Sequence, residues 1–378
     1  MSTLIHSYTQ RLCTTVDNTH VHEERENCVK YKEERLVSES KKREPGSQVT
    51  SDTGQRSEPG SEGIETASDI LTKIFSDGSG SSAGAEMADL NARYQALQKV
   101  TVPQPPQTRF IAVANQKGGV GKTTTTVNLA AAFASLGSQV LVIDMDPQGN
   151  ASTALGVPHE SGVPSTYDVL EGRYGIEEVK VASPGFETLE VVPSSIDLSG
   201  AELEVAELPE RNHLLKNALA KFLKGSKKHY DYIFIDCPPS LGLLVLNAMC
   251  SVNEVLIPVQ AEYYALEGLQ QLLHTIGLVQ QSYNPYLVIS TMLLTMYDKR
   301  TLLSKEVFDE VREHYPEIVL NTTIPRSVKI SEAPSFQQSV ITYDPRGAGA
   351  ISYEEAALEI ASRSEQVLER ITKRKQGE

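Results

Sequence analysis

From Arg109 onward the chain is built of short aliphatic runs, each separated from the next by enough residues for a helix. These runs are Phe110-Ile111-Ala112-Val113-Ala114, Val140-Leu141-Val142-Ile143-Asp144, Leu189-Glu190-Val191-Val192, Tyr232-Ile233-Phe234-Ile235-Asp236, Val255-Leu256-Ile257-Pro258-Val259 and Tyr286-Leu287-Val288-Ile289-Ser290. Near-continuous apolar strands, rather than alternating ones, mean a parallel sheet buried on both faces. The spacing therefore predicts an α/β doubly wound fold, mostly parallel, with helices on both faces. Ligands of such a fold sit outside the carboxyl ends of its strands.

The first of those ends carries Gln116-Lys117-Gly118-Gly119-Val120-Gly121-Lys122-Thr123-Thr124. Gly121-Lys122-Thr123 between a strand and a helix is the core of a P-loop, so the fold is expected to be that of a P-loop NTPase. Its glycines let backbone N–H groups turn inward around a phosphate, and the following helix adds the positive end of its dipole. Residues Lys117, Gly118, Gly119, Val120, Gly121, Lys122, Thr123 and Thr124 are the expected nucleotide cradle. Lys122 is placed to reach the terminal phosphates of ATP, and the Thr123 hydroxyl to ligate Mg²⁺. The position five residues before Gly121 is usually glycine and here is Gln116, followed by Lys117. A second ammonium is not needed to hold nucleotide within one subunit. Lys117 is therefore read as reaching the phosphates of a partner subunit, as an arginine finger does in trans.

Two further strand ends carry acids. Val140 to Ile143 runs into Asp144-Met145-Asp146-Pro147-Gln148-Gly149-Asn150, and Tyr232 to Ile235 into Asp236-Cys237-Pro238-Pro239. Asp236 is expected to act as the Walker B acid on the metal, directly or through water, and Asp146 to orient the attacking water. The expected catalytic set is Lys117, Lys122 and Asp146.

Together with Leu294-Thr295-Met296-Tyr297-Asp298-Lys299-Arg300-Thr301, the run Ile324 to Ser335 and Tyr343-Asp344-Pro345-Arg346-Gly347, these motifs resemble the ParA/Soj branch of the deviant Walker A ATPases. The likeness covers roughly Arg109 to the end. It implies an ATPase, weak alone, that forms a homodimer around ATP and binds DNA without sequence preference. A ParB-type centromere-binding partner would stimulate it during chromosome or plasmid segregation. It also implies DNA contacts at Arg300 and Arg326, with Lys299 and Lys329 as helpers, and a cytoplasmic, nucleoid-associated location. A net charge of -14 excludes a protein that coats DNA by overall charge, so binding requires a local basic face. The alternative is a MinD-like positioning ATPase bound to membrane. Its hallmark is an amphipathic C-terminal helix, and the tail from about Ser352 to Thr372 is expected to pack on the domain instead.

Residues 1–86 are rich in Ser, Glu, Lys, Gly and Thr and lack apolar periodicity. Such a segment cannot bury enough surface to offset its ordering entropy and is expected to be a disordered extension. Residues 87–107 form a helix, Met87 to Val100, and a Pro-rich linker; 108–378 form the ATPase domain. The four cysteines show no Cys-x-x-Cys spacing, which argues against a zinc site or disulfide framework and for a reducing compartment. No apolar run approaches the roughly 20 residues a membrane span requires.

Overall fold

The computed structural model describes residues 83–262 and 265–376; the disorder expected of the leader up to residue 82 lies outside them. Among the described residues seven strands form one sheet: β1 Arg109–Val113, β2 Val140–Asp144, β3 Val181–Ala182, β4 Leu189–Val192, β5 Tyr232–Asp236, β6 Glu254–Gln260 and β7 Val288–Thr295. The order is β3-β4-β2-β5-β1-β6-β7. Every pairing is parallel except β3 with β4. The two-residue β3 carries no periodic signal and was not expected from the sequence. β7 runs past the expected Ser290 to Thr295, because Met292, Leu293 and Leu294 continue the buried apolar run.

Successive side chains of a strand point to opposite faces, and here they feed separate cores. Ala112, Leu141, Ile143, Ile233, Ile235, Val255 and Ile257 join one apolar cluster. Ile111, Val113, Val140, Val142, Tyr232, Phe234 and Leu256 join the other. The longer helices among the described residues are α1 Ala83–Leu97, α2 Lys122–Ser135, α3 Leu214–Gly225, α4 Leu243–Ser251, α5 Ala265–Ser282, α6 Leu302–His314, α7 Ala348–Ser362 and α8 Ser364–Gln376. α3, α4, α5 and α6 supply the first cluster; α1, α2 and α7 supply the second. Within the second, the rings of Phe133 and Tyr232 stack with centroids 3.9 Å apart.

α1 begins at Ala83 and ends at Leu97, where the sequence suggested Met87 to Val100. The good helix formers Ala83, Ala85 and Glu86 extend its start, and the β-branched Val100-Thr101-Val102 before Pro103 favour extended backbone at its end. Arg93 fastens it to α7 with two hydrogen bonds to the buried Glu355, 2.8 and 2.6 Å. The single tail helix expected from Ser352 to Thr372 is two helices parted at Arg363, whose guanidinium turns back to the Val319 carbonyl at 3.0 Å. α8 buries Val367 and Ile371 against Val288, and its basic end lies on the domain, with Arg374 donating to the Pro285 carbonyl at 3.4 Å. No helix among the described residues is long and apolar enough to cross a membrane.

Candidate functional site

The chain leaves β1 through Asn115, which is tied at both ends of its amide. Its Nδ2 donates to the Pro258 carbonyl at 2.8 Å, and its Oδ1 accepts the Lys117 N–H at 3.0 Å. The loop then needs left-handed backbone at Gly119 (φ 74°) and Gly121 (φ 89°), a conformation costly for any residue with a Cβ. Val120 is buried between them, and its carbonyl accepts the Thr295 hydroxyl at 2.8 Å. Gly121 begins α2 without a side-chain cap, leaving the first-turn N–H groups for another acceptor. Lys122 is almost wholly buried and donates to the Lys117 carbonyl at 3.3 Å. Burial lowers its pKa, and the Asp236 charge opposes that effect. A buried ammonium held mainly by one carbonyl is an arrangement suited to an anion.

Parallel pairing sets Asp144 and Asp236 side by side at the carboxyl ends of β2 and β5. Both are fully buried. Thr123 donates to Asp236 Oδ2 at 2.8 Å and Thr126 to its Oδ1 at 2.9 Å. Burial first, and then the charge of Asp144, hold the Asp236 carboxyl well above the usual carboxylate range, against the pull of those hydroxyls. Asp144 is also raised by burial, though it accepts the Ser152 N–H and hydroxyl at 2.9 and 2.7 Å. Asp146 lies at the same end, largely buried, its Oδ1 accepting the Gln148 N–H at 3.0 Å. A carboxylate beside a threonine hydroxyl is a small, hard oxygen set, fitting a cation such as Mg²⁺ that keeps waters and takes phosphate oxygens as its other ligands.

Lys117 is half-buried, with its ammonium 3.5 Å from Glu262 Oε2. Glu262 Oε1 lies 3.6 Å from the Arg326 guanidinium. Arg300 is 88% exposed, and its Nε and Nη2 donate to Asp298 at 2.9 and 2.8 Å. That pairing pulls the Asp298 carboxyl down to about 2. The two arginines come from segments that run together: Tyr297 N–H donates to the Ile324 carbonyl at 2.9 Å, and Arg326 N–H to the Tyr297 carbonyl at 3.2 Å. Lys299 is exposed, and Lys329 pairs with Glu332 at 3.0 Å.

The fold thus brings Lys122, Thr123 and Asp236 together with Asp146 nearby, and sets Lys117 toward the arginine segments. Sequence reasoning assigned no part to Asn115, Thr126, Asp144, Glu262 or Thr295. Thr126 had a signal, lying three residues after Thr123 on the same helix face. Glu262 and Thr295 had none, because their neighbours are distant in sequence.

A glycine loop uncapped onto a helix, with a buried acid on the adjacent strand end, is the construction of the P-loop nucleotide hydrolases. A family model described as an AAA domain matches residues 108–289. The chain is 48% identical over 254 residues to the sporulation initiation inhibitor protein Soj of Bacillus subtilis, covering 67% of this chain and 98% of that one. It is 46% identical over 257 residues to the chromosome partitioning protein ParA of Caulobacter vibrioides, covering 68% and 94%. Among solved structures, a cobyrinic acid a,c-diamide synthase from Mycobacterium smegmatis with bound ATP analog and magnesium is 39% identical, with a TM-score of 0.57 over 66% of this chain and 93% of that one. The chain belongs to the ParA/Soj family of chromosome-partitioning ATPases.

Proposed function

We propose that this protein is a Mg²⁺-dependent ATP hydrolase that dimerises around ATP, binds DNA without sequence preference, and segregates a chromosome or plasmid with a ParB-type partner. The observation that carries the reading is the cluster of buried Lys122 and Asp236 with half-buried Thr123 beneath an uncapped helix start. Lys122 and the loop amides bind the phosphates, replacing the Lys117 carbonyl as the partner of the Lys122 ammonium. Thr123 and Asp236 hold Mg²⁺, which supplies charge neutralisation at the phosphates. Asp146, at the same strand end, orients the attacking water. Lys117, whose ammonium is held among the described residues by one ion pair at the rim, can reach a second subunit's phosphates. Hydrolysis by the isolated chain is slow, because the site is completed only by the partner subunit and stimulated by the ParB-type protein.

Arg300 and Arg326 form the DNA face, with Lys299 and Lys329 beside them. An acidic chain can bind a polyanion only through such a local face, and a dimer doubles it. The protein then works in the cytoplasm, on the nucleoid. The packing of Val367 and Ile371 against Val288 supports DNA rather than a membrane as the surface bound, because the apolar side of α8 is already used. Co-sedimentation with nonspecific duplex DNA, in ADP or ATP, tests the reading for wild type and Arg300→Glu, with anionic liposomes in parallel. ATP-dependent DNA binding that the variant loses is the expected result. Binding to liposomes but not to DNA would overturn it.

A further inference from the structure

Glu262 touches two cations to which the proposed function gives different work. One carboxylate oxygen faces the Lys117 ammonium at 3.5 Å; the other faces the Arg326 guanidinium at 3.6 Å. The carboxylate does not swing freely between them, because Gln260 Nε2 donates to Oε1 at 2.6 Å. Gln260 closes β6, and its amide also reaches the Met296 sulfur at 3.4 Å. Met296 sits in left-handed backbone (φ 53°) just after Thr295, the residue that grips the phosphate loop. Three segments distant in sequence therefore converge on a single negative charge.

We infer that Glu262 is a shared counter-ion that brakes DNA engagement by Arg326. The inference rests on the proposed assignment of Arg326 to DNA and of Lys117 to nucleotide. Its logic is electrostatic. While both cations are present each neutralises part of the carboxylate, and each repels the other. When Lys117 is drawn away, Arg326 loses a like-charged neighbour and faces a carboxylate with no other ion-pair partner among the described residues. Glu262 then holds the guanidinium harder, and DNA phosphate must compete with it. The brake therefore tightens as Lys117 engages nucleotide: in the ATP-bound dimer it trims a DNA affinity that the doubled face raises, and it keeps each Arg326 contact weak enough to be released and remade.

The test is a set of DNA titrations without nucleotide, at one low salt concentration. The chains are wild type, Glu262→Gln, Lys117→Ala and the double variant, with Glu332→Gln as a charge control beside Lys329 in both backgrounds. Pairs this exposed are worth little, so Glu262→Gln should tighten binding about twofold in wild type. In the Lys117→Ala background the gain should rise to about fivefold, while the Glu332→Gln effect stays the same in both. Glu262→Asp, which keeps the charge, should behave as wild type and so exclude a folding defect. A Glu262→Gln gain equal in the two backgrounds, or no larger than that of Glu332→Gln, overturns the brake even if wild type binds DNA in ATP. Wild type that binds no duplex in ATP overturns the functional reading itself, and the brake with it.

Discussion

The nucleotide loop and the arginine segments occupy the same end of the sheet and are built in opposite ways. At the loop, Asp236 is fully buried, receives two hydroxyl hydrogen bonds and lies beside a second buried acid. Arg300, by contrast, is 88% exposed, and its guanidinium pairs with Asp298 at the surface. Bond-making and metal binding need fixed geometry, which costs burial and leaves few residue types that fit. Attraction to a polyanion needs charge at the right face and tolerates many arrangements.

The contrast predicts effects of different kind as well as size. Lys122→Ala should weaken ATP binding by on the order of a hundredfold, because it strips a charge-assisted contact from a buried site. Calorimetric titration checks this, and an affinity within threefold of wild type would break the idea that the loop is the built half. Asp146→Ala should leave ATP affinity nearly intact but slow phosphate release by about a hundredfold, trapping a DNA-bound dimer. Normal turnover in a single-turnover assay would remove Asp146 from its role. Arg326→Ala should weaken DNA binding by about tenfold and lower the slope of affinity against salt by about one, with ATP affinity unchanged.

The smallest effect separates the regions by pH. The Asp236 carboxyl is raised, chiefly by burial, so near neutrality part of the metal-free protein carries a proton there. Mg²⁺ binds the ionised form, so its affinity should rise with pH across the neutral range, by a few-fold. Linkage gives the stability sign as well. A raised carboxyl contributes stability that is present at low pH and lost as pH rises toward the folded-state value, so metal-free protein should melt lower at pH 8 than at pH 6 on this account. Mg²⁺ should narrow that gap. DNA affinity should follow salt far more than pH, and a common pH profile for both sites would erase the distinction.

The same division decides what could be read in the sequence. The sheet and the loop were legible because buried parallel strands demand unbroken aliphatic runs, and left-handed backbone at Gly119 and Gly121 demands glycine. Asp236 was legible because it ends a strand beside that loop. β3 was not, since a two-residue antiparallel edge imposes no pattern. The break at Arg363 was hidden because α7 and α8 both continue apolar spacing, and what marks the corner is long-range: the Arg363 guanidinium donates to the Glu317 and Val319 carbonyls. Asp144 looked like a spare acid in a motif; its weight comes from lying opposite Asp236 across β2 and β5. Glu262 became visible only when three segments met.

The hydrogen bond from Thr295 to the Val120 carbonyl joins residues 175 positions apart, and Asn115 is held by a carbonyl 143 positions later. The loop that opens the domain is therefore finished by strands near its close. Long-range contacts of this kind form late, after much loop-closure entropy has been overcome. A chain still emerging from the ribosome can expose β1, α2 and β2 while β1 and β2 still wait for β5 between them and the phosphate loop lacks two of its supports. Nucleotide affinity should accordingly appear as one of the last properties the maturing protein acquires, so that only a nearly finished molecule can join the switching population.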